Sequence, residues 1–213
     1  LHIGSPHFRR AAFIAFLRAL PDGCTLILNG DTLDDTRQEI TDEDVNVLRV
    51  LQKTVHRLNQ VIWISGNHDR EGPPSELSEV MVTPEYWIGD GTYVVHGHNF
   101  DEIMPGHRGF LWLFKRLHHL RIRLGANRVH VAEYAKKWRP LYTFFRQSVR
   151  NKAVAFAKKT HCNTIVCGHV HFPEDTCVDG VQYINTGTWT EDQLCYLLAD
   201  DEGGTAQLKV WHP

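Results

Sequence analysis

Leu28-Asn29-Gly30-Asp31-Thr32-Leu33-Asp34 closes the apolar run Thr25-Leu26-Ile27-Leu28. A buried strand that ends in Gly-Asp-x-x-Asp puts one carboxylate at the carboxyl edge of a sheet and a second one turn-length further on. Three later runs repeat the plan. Val61-Ile62-Trp63-Ile64 leads into Gly66-Asn67-His68-Asp69, Tyr93-Val94-Val95 into His96-Gly97-His98, and Thr164-Ile165-Val166-Cys167 into Gly168-His169-Val170-His171. Open sheets bind ligands at the carboxyl ends of their strands, so four strand-like runs that each deliver His, Asp or Asn describe one site. Each run alone has a bland reading as a turn or an Asx-rich loop; the four in order do not.

The segments between these runs alternate in period. Phe8, Ala12, Phe13, Phe16, Leu17 and Leu20 have helical spacing over 7–20, and Pro21-Asp22-Gly23 ends the pattern. Thr41-Asp42-Glu43-Asp44 can cap a second helix, whose Val45, Leu48, Leu51, Val55 and Leu58 recur at intervals of three and four. Helix then strand, twice in succession, predicts a layered α/β domain. Residues 70–91 read as a loop with a short segment at 77–82 and a strand at 86–88. After Val166, the runs Val181–Ile184, Leu194–Leu198 and Ala206–Val210, with turns at Asp179-Gly180 and Glu202-Gly203-Gly204, predict antiparallel strands.

The chain has 213 residues, 42% of them hydrophobic, with a formal charge of -2, as expected for one domain with a real core. No apolar stretch approaches the ~18 residues needed to span a bilayer. Five cysteines without a C-x-x-C pair read as reduced thiols. A cytoplasmic location is the expectation. The charge is unevenly spread, since 108–159 holds fourteen of the 23 Lys and Arg but only one of the 25 acids, Glu133. This segment loses strand character and reads as a basic helical insertion or lid: a helix opening at Phe110, a break at Gly125-Ala126-Asn127, a short helix around Val131–Ala135, and a third from about Leu141 to Lys159. A basic segment of this kind should meet something anionic, or else forms a solvated face.

His2, Asp31, Asn67, His68, His96, His169 and His171 are the groups that could share the site. Histidine, carboxylate and amide oxygen together suit Mn, Fe, Co, Ni or Zn; they are too rich in nitrogen for a calcium site and lack the thiolates of a cysteine cluster. Two such ions about 4 Å apart can activate a water-derived nucleophile and stabilise phosphoryl oxygens, so the expected chemistry is hydrolysis.

With these segments the sequence resembles the calcineurin-like metallophosphoesterase superfamily, whose pattern is Asp-x-His, Gly-Asp-x-x-Asp, Gly-Asn-His-Asp/Glu, a lone His and Gly-His-x-His. Ile184-Asn185-Thr186-Gly187-Thr188-Trp189 also resembles the family's segment after the last histidine pair. The resemblance implies a four-layer αββα sandwich with two divalent ions, manganese expected first and Fe, Co, Ni or Zn as alternatives. It implies Asp31 as the bridging ligand, His2 and His171 at the first metal, and Asn67, His96 and His169 at the second. His68 would meet the phosphate or protonate the leaving oxygen, oriented by Asp34; a histidinium can neutralise charge developing there. In the family's Asp-x-His, His2 is the histidine. The expectation is that the aspartate and the first strand lie upstream of Leu1.

His96-Gly97-His98-Asn99-Phe100-Asp101 and the helical insertion further resemble the branch of UDP-2,3-diacylglucosamine pyrophosphatases of lipid A synthesis. That resemblance implies a phosphate-containing lipid substrate, with contact at the inner membrane surface. Arg121, Arg123 and His98 are candidate substrate contacts, and Asp101 either orients a ligand histidine or serves the surface. Two departures point toward the generic phosphoesterase pattern. The lipid A enzyme commonly carries Gly-Asn-Arg-Asp where this chain has Gly-Asn-His68-Asp69, and His-Gly-Asp where it has His96-Gly97-His98. The alternatives are a soluble nucleotide or general phosphodiesterase or phosphatase, and, from a different class, a nucleic-acid-binding protein using the basic insertion.

Overall fold

The structure, a computed structural model, describes residues 1–34, 40–69, 72–102, 116, 120–123, 125, 139–202 and 204–213. The strands are β1 (Thr25–Asn29), β2 (Gln60–Ile64), β3 (Met81–Thr83), β4 (Glu85–Ile88), β5 (Thr92–Val95), β6 (Thr164–Cys167), β7 (Glu174–Val178), β8 (Val181–Asn185), β9 (Cys195–Ala199) and β10 (Ala206–Val210). The helices are α1 (Arg10–Ala19), α2 (Asp42–Val55) and α3 (Arg139–Thr160), with single 3₁₀ turns at Ser75–Leu77 and His98–Phe100. The helix expected around Val131 lies outside the described residues, as does most of the one expected from Phe110, of which Arg116 and 120–123 are described and helical. The third helix of 108–159 is α3, described over Arg139–Thr160 and containing Pro140.

Side-chain alternation along the strands builds the layers. In β2, Val61 and Trp63 join the cluster formed with α1 and α2, whereas Ile62 and Ile64 face the other way, toward Val94, Val166 and Ile184. In β5 and β6, Tyr93, Val95, Ile165 and Cys167 meet Ala153, Val154 and Ala157 of α3, while Val94 and Val166 turn inward. The result is α1 and α2, a first sheet layer, a second sheet layer, then α3: a four-layer αββα sandwich. β1, β2 and β3 are parallel neighbours in that order, and the second sheet runs β4-β5-β6-β8-β7 with β5, β6 and β8 parallel.

The β9–β10 hairpin belongs to the first sheet layer, since Tyr196 packs with the α1–α2 cluster and Leu197 with the interior. β1 hydrogen-bonds to β2 on one side only among the described strands, and the whole of β1 and of β9 lines a cavity of about 730 Å³. Leu1 to Ile3 run alongside Asp31 to Leu33, with Ile3 and Leu33 in a parallel bridge.

Local signals explain most element ends. Thr41 and Asp44 form a reciprocal capping box at α2, and Asp44, fully buried, also accepts from Arg10 Nε at 2.7 Å, which ties α2 to α1. Asp179 and Gly180 both have positive φ in the two-residue turn between β7 and β8, as a type I′ hairpin requires. β7 itself escaped the sequence reading: Glu174-Asp175-Thr176-Cys177-Val178 is an edge strand, half exposed, with little apolar alternation. No helix among the described residues is long and apolar enough to cross a membrane.

Candidate metal centre

The ligand-bearing segments converge because β1, β2, β5 and β6 point their carboxyl ends toward one edge of the sandwich. Asp31, one turn past β1, is buried at 3% exposure, and its Oδ1 accepts the His68 backbone N–H at 2.9 Å. Its Oδ2 lies 3.2 Å from His96 Nε2 and 3.9 Å from His2 Nε2. His2 Nε2 is in turn 2.9 Å from His171 Nε2. Three groups therefore bring candidate ligand atoms within 4.8 Å of one another: Asp31, His96 and His169; His2, Asp31 and His171; and His2, Asp34 and His68. Asp31 is common to the first two, as a bridging carboxylate must be. Asn67 sits exposed in the loop after β2, between Gly66 and His68.

Burial pushes the Asp31 carboxyl up, but the surrounding imidazoles of His96, His2 and His68 outweigh it and hold the group well below the usual carboxylate range. Burial pushes the His2 ring down, toward the neutral form that a metal ligand requires. His98 is also pushed down, by burial and then by the nearby His96 and His169.

The donors fit a cation on one further observation. His96 Nδ1 faces the Asn29 carbonyl at 3.0 Å. In the neutral ring that nitrogen carries the proton, so Nε2 presents a lone pair toward the Asp31 carboxylate. Nε2 is buried and has no hydrogen-bond partner in bonding geometry among the described residues. Two acceptors facing one another at this range repel unless a positive charge lies against both.

The profile of the calcineurin-like phosphoesterase family matches residues 1–173. This chain belongs to that family. No curated protein matches it. Among solved structures, it is similar to vacuolar protein sorting 29 from Cryptosporidium parvum at 13% identity, with 99% of this chain and 92% of that chain covered and a TM-score of 0.43. It is also similar to phosphopantetheinyl hydrolase from Mycobacterium tuberculosis, at 15% identity over 82% and 83% of the two chains with a TM-score of 0.37. A predicted phosphoesterase from Streptococcus pneumoniae is 11% identical over 90% of this chain and 99% of its own, with a TM-score of 0.41. Family membership together with the histidine–carboxylate groups makes the chain a metal-dependent phosphoester hydrolase. His2, Asp31, His96, His169 and His171 are the side chains whose grouping suits divalent ions.

The other expected site residues are placed as follows. Asp34 Oδ1 lies 3.6 Å from His68 Nδ1 and 3.3 Å from His2 Nδ1, so one carboxylate serves both rings. His68 is partly exposed and open to a substrate. The His98 ring is 5.5 Å from that of His96 and 6.5 Å from that of His169. Arg121 is half-buried and Arg123 exposed within 120–123, and the ligand groups form without them.

Asp69 was given no role by the sequence reading, which passed over it as the last residue of Gly66-Asn67-His68-Asp69. It is buried, with Oδ2 accepting from Thr32 N at 3.3 Å and Gly66 N at 3.0 Å and Oδ1 from Leu33 N at 3.1 Å. One carboxylate thus pins the loop of Asp31 to the loop of Asn67 and His68. The signal available was local: an acid three residues after a loop glycine can accept that glycine's N–H. Among the described residues, four of the six non-glycine positions with positive φ are His2, Asp31, His169 and His171, at 63°, 47°, 56° and 56°. Asp and His are among the residues that tolerate this backbone region best.

Proposed function

We propose that this phosphoesterase hydrolyses the pyrophosphate bond of a UDP-2,3-diacylglucosamine-like lipid at a cytoplasmic membrane surface. The observation that carries the reading is the surface of α3 beside the ligand loop. α3 holds six Lys or Arg and no acid, and exposes Leu141 and Phe144 at 41% and 63%. Its inner side lies against the loop that carries His169 and His171. Phe145 and Val149 enclose Val170, and the Phe145 ring is 6.3 Å from that of His169. Exposed apolar side chains on a helix packed against the loop of His169 and His171 suit a substrate with an acyl end.

Bound divalent ions, manganese first among them, would supply Lewis acidity and an activated water. The chain's own residues do the rest. Asp34 fixes the His68 ring through Nδ1, which leaves Nε2 to meet the phosphoryl or leaving oxygen. Asp31 holds the His68 backbone by its N–H, so the acid–base ring and the bridging carboxylate move together. Arg121 and Arg123 are proposed to meet the diphosphate, and His98 the group bound beside the second metal.

A polyanion such as nucleic acid is less well served. Arg146 and Arg150 pair with Glu174, Lys152 with Glu102, and Lys158 with Asp179, so most of the positive charge of α3 already faces the chain's own acids. The test is manganese-supplemented hydrolysis of UDP-2,3-diacylglucosamine beside nucleotide diesters and an aryl phosphodiester. Preferential release of UMP from the lipid supports the reading. Turnover of the simple esters alone would leave the metal chemistry standing and remove the lipid.

A further inference from the structure

His169 is held by a carboxylate that lies outside the ligand groups. Asp101 Oδ2 is 2.9 Å from His169 Nε2, and the Asp101 side chain is 2% exposed. We infer that Asp101 is a positioning residue for the second metal, selecting the His169 tautomer that offers Nδ1 to the ion. The inference rests on the metal-dependent reading of the site. An imidazole whose Nε2–H is given to a carboxylate presents its Nδ1 lone pair on the opposite edge of the ring, and the carboxylate raises the basicity of that lone pair. His96 is held the other way round, through Nδ1 to the Asn29 carbonyl, and offers Nε2. The two rings, with centroids 5.4 Å apart, would therefore offer one ion Nδ1 from one ring and Nε2 from the other.

The place of Asp101 in the chain adds to this. It closes the 3₁₀ turn His98–Phe100, and its backbone N–H donates to His98 O at 3.1 Å. Gly97, which opens that turn, has φ +99°, and a Cβ there would lie 3.2 Å from Cys167 Cβ, so the turn can pack directly on the end of β6. The Asp101 carboxylate thereby reaches His169 from a rigid base. α3 reaches the same loop, where Tyr142 donates its hydroxyl to Val170 O at 2.8 Å. Both ends of the segment between Asp101 and Tyr142 thus bear on the short loop that gives one histidine to each metal.

Metal-binding titration of the parent, Asp101→Ala and Asp101→Asn with Mn²⁺ tests the assignment, alongside thermal melting of each protein in chelator. Asp101→Ala is expected to lose about 10- to 100-fold in affinity for one of two ions, with the other unchanged. Asp101→Asn, which keeps an acceptor oxygen without the charge, should fall between Ala and parent. A merely structural carboxylate would lower the chelator-treated melting temperature and weaken both ions together; that result, or parent affinities in Asp101→Ala, overturns the inference. If Asp101→Ala does not fold, parent-like affinity for both ions in Asp101→Asn overturns it and selective weakening of one upholds it. A parent that binds no ion would overturn the metal reading itself, an outcome distinct from the others.

Discussion

Replacing Gly66 by Ala probes the centre with one carbon atom. Gly66 has no positive φ, so alanine costs nothing in backbone conformation and the effect is steric alone. A Cβ at this position would overlap both the Asp31 amide nitrogen and Oδ1, and would lie 3.0 Å from Asp31 Cγ. Ordinary carbon contacts need roughly 3.5–4 Å, so either the Asp31 loop or the His68 loop must withdraw by something on the order of 1 Å. Withdrawal is resisted because Asp69 holds Gly66, Thr32 and Leu33 together and His68 N–H holds Asp31. A displacement of about 1 Å in a reacting geometry costs on the order of 100-fold in rate. The expected result is therefore a drop of about two orders of magnitude in kcat/KM on any phosphodiester substrate, with weakened binding of both ions, because Asp31 belongs to both groups. Steady-state kinetics and two-site metal titration read this out. A Gly66→Ala enzyme within threefold of the parent in kcat/KM, with both ions bound normally, would refute the reasoning.

His68→Gln should keep its metal content while turnover falls about 10²- to 10⁴-fold; elemental analysis showing lost metal would remove His68 from its acid–base role. Chelation should lower the melting temperature by about 11–22 °C, since each of two ions at 100 times its Kd contributes about 2.7 kcal/mol and each kcal/mol moves a domain of this size by about 2–4 °C; a melting curve indifferent to chelator and to added Mn²⁺ would count against a built metal site. Asp44→Asn should cost about 3 kcal/mol at neutral pH by breaking a buried ion pair and the α2 cap. Burial pushes the Asp44 carboxyl up, but Arg10 and Thr41 outweigh it and hold it below its ordinary value. Its contribution is accordingly full above about pH 4, the unfolded value, and is lost as pH falls through the folded one. Denaturant titrations should show the gap between parent and variant closing in acid, and a gap unchanged down to pH 3 would contradict this.

The layering was legible because it rests on periodicity. Val61 to Ile64 and Thr92 to Val95 are apolar on both faces, and both faces are covered. The helices carry one apolar stripe each, and Thr41 marks where α2 begins. The candidate ligands after His2 were legible because each follows directly on such a run. What escaped is of a different kind. Asp69 and the Asn29 carbonyl act on groups thirty or more residues away, through backbone N–H and ring atoms that no residue type announces. β7 escaped because an edge strand paired on one side needs no apolar alternation of its own. Asp101 stood between a surface role and an orienting one until its 2.9 Å approach to His169 was seen.

The left-handed backbone at His2, Asp31, His169 and His171 bears on how much sequence change this protein can absorb. A left-handed L-residue costs roughly 1–2 kcal/mol, so four of them amount to about 4–8 kcal/mol, of the same order as the whole net stability of a typical domain. Core packing must supply that margin, through buried residues such as Trp63, Tyr183 and Phe13. A variant that trims about 1–2 kcal/mol from those core contacts would therefore act first on the loops that hold the candidate ligands, and its phenotype would be lost catalysis in a chain whose chemical groups are all intact.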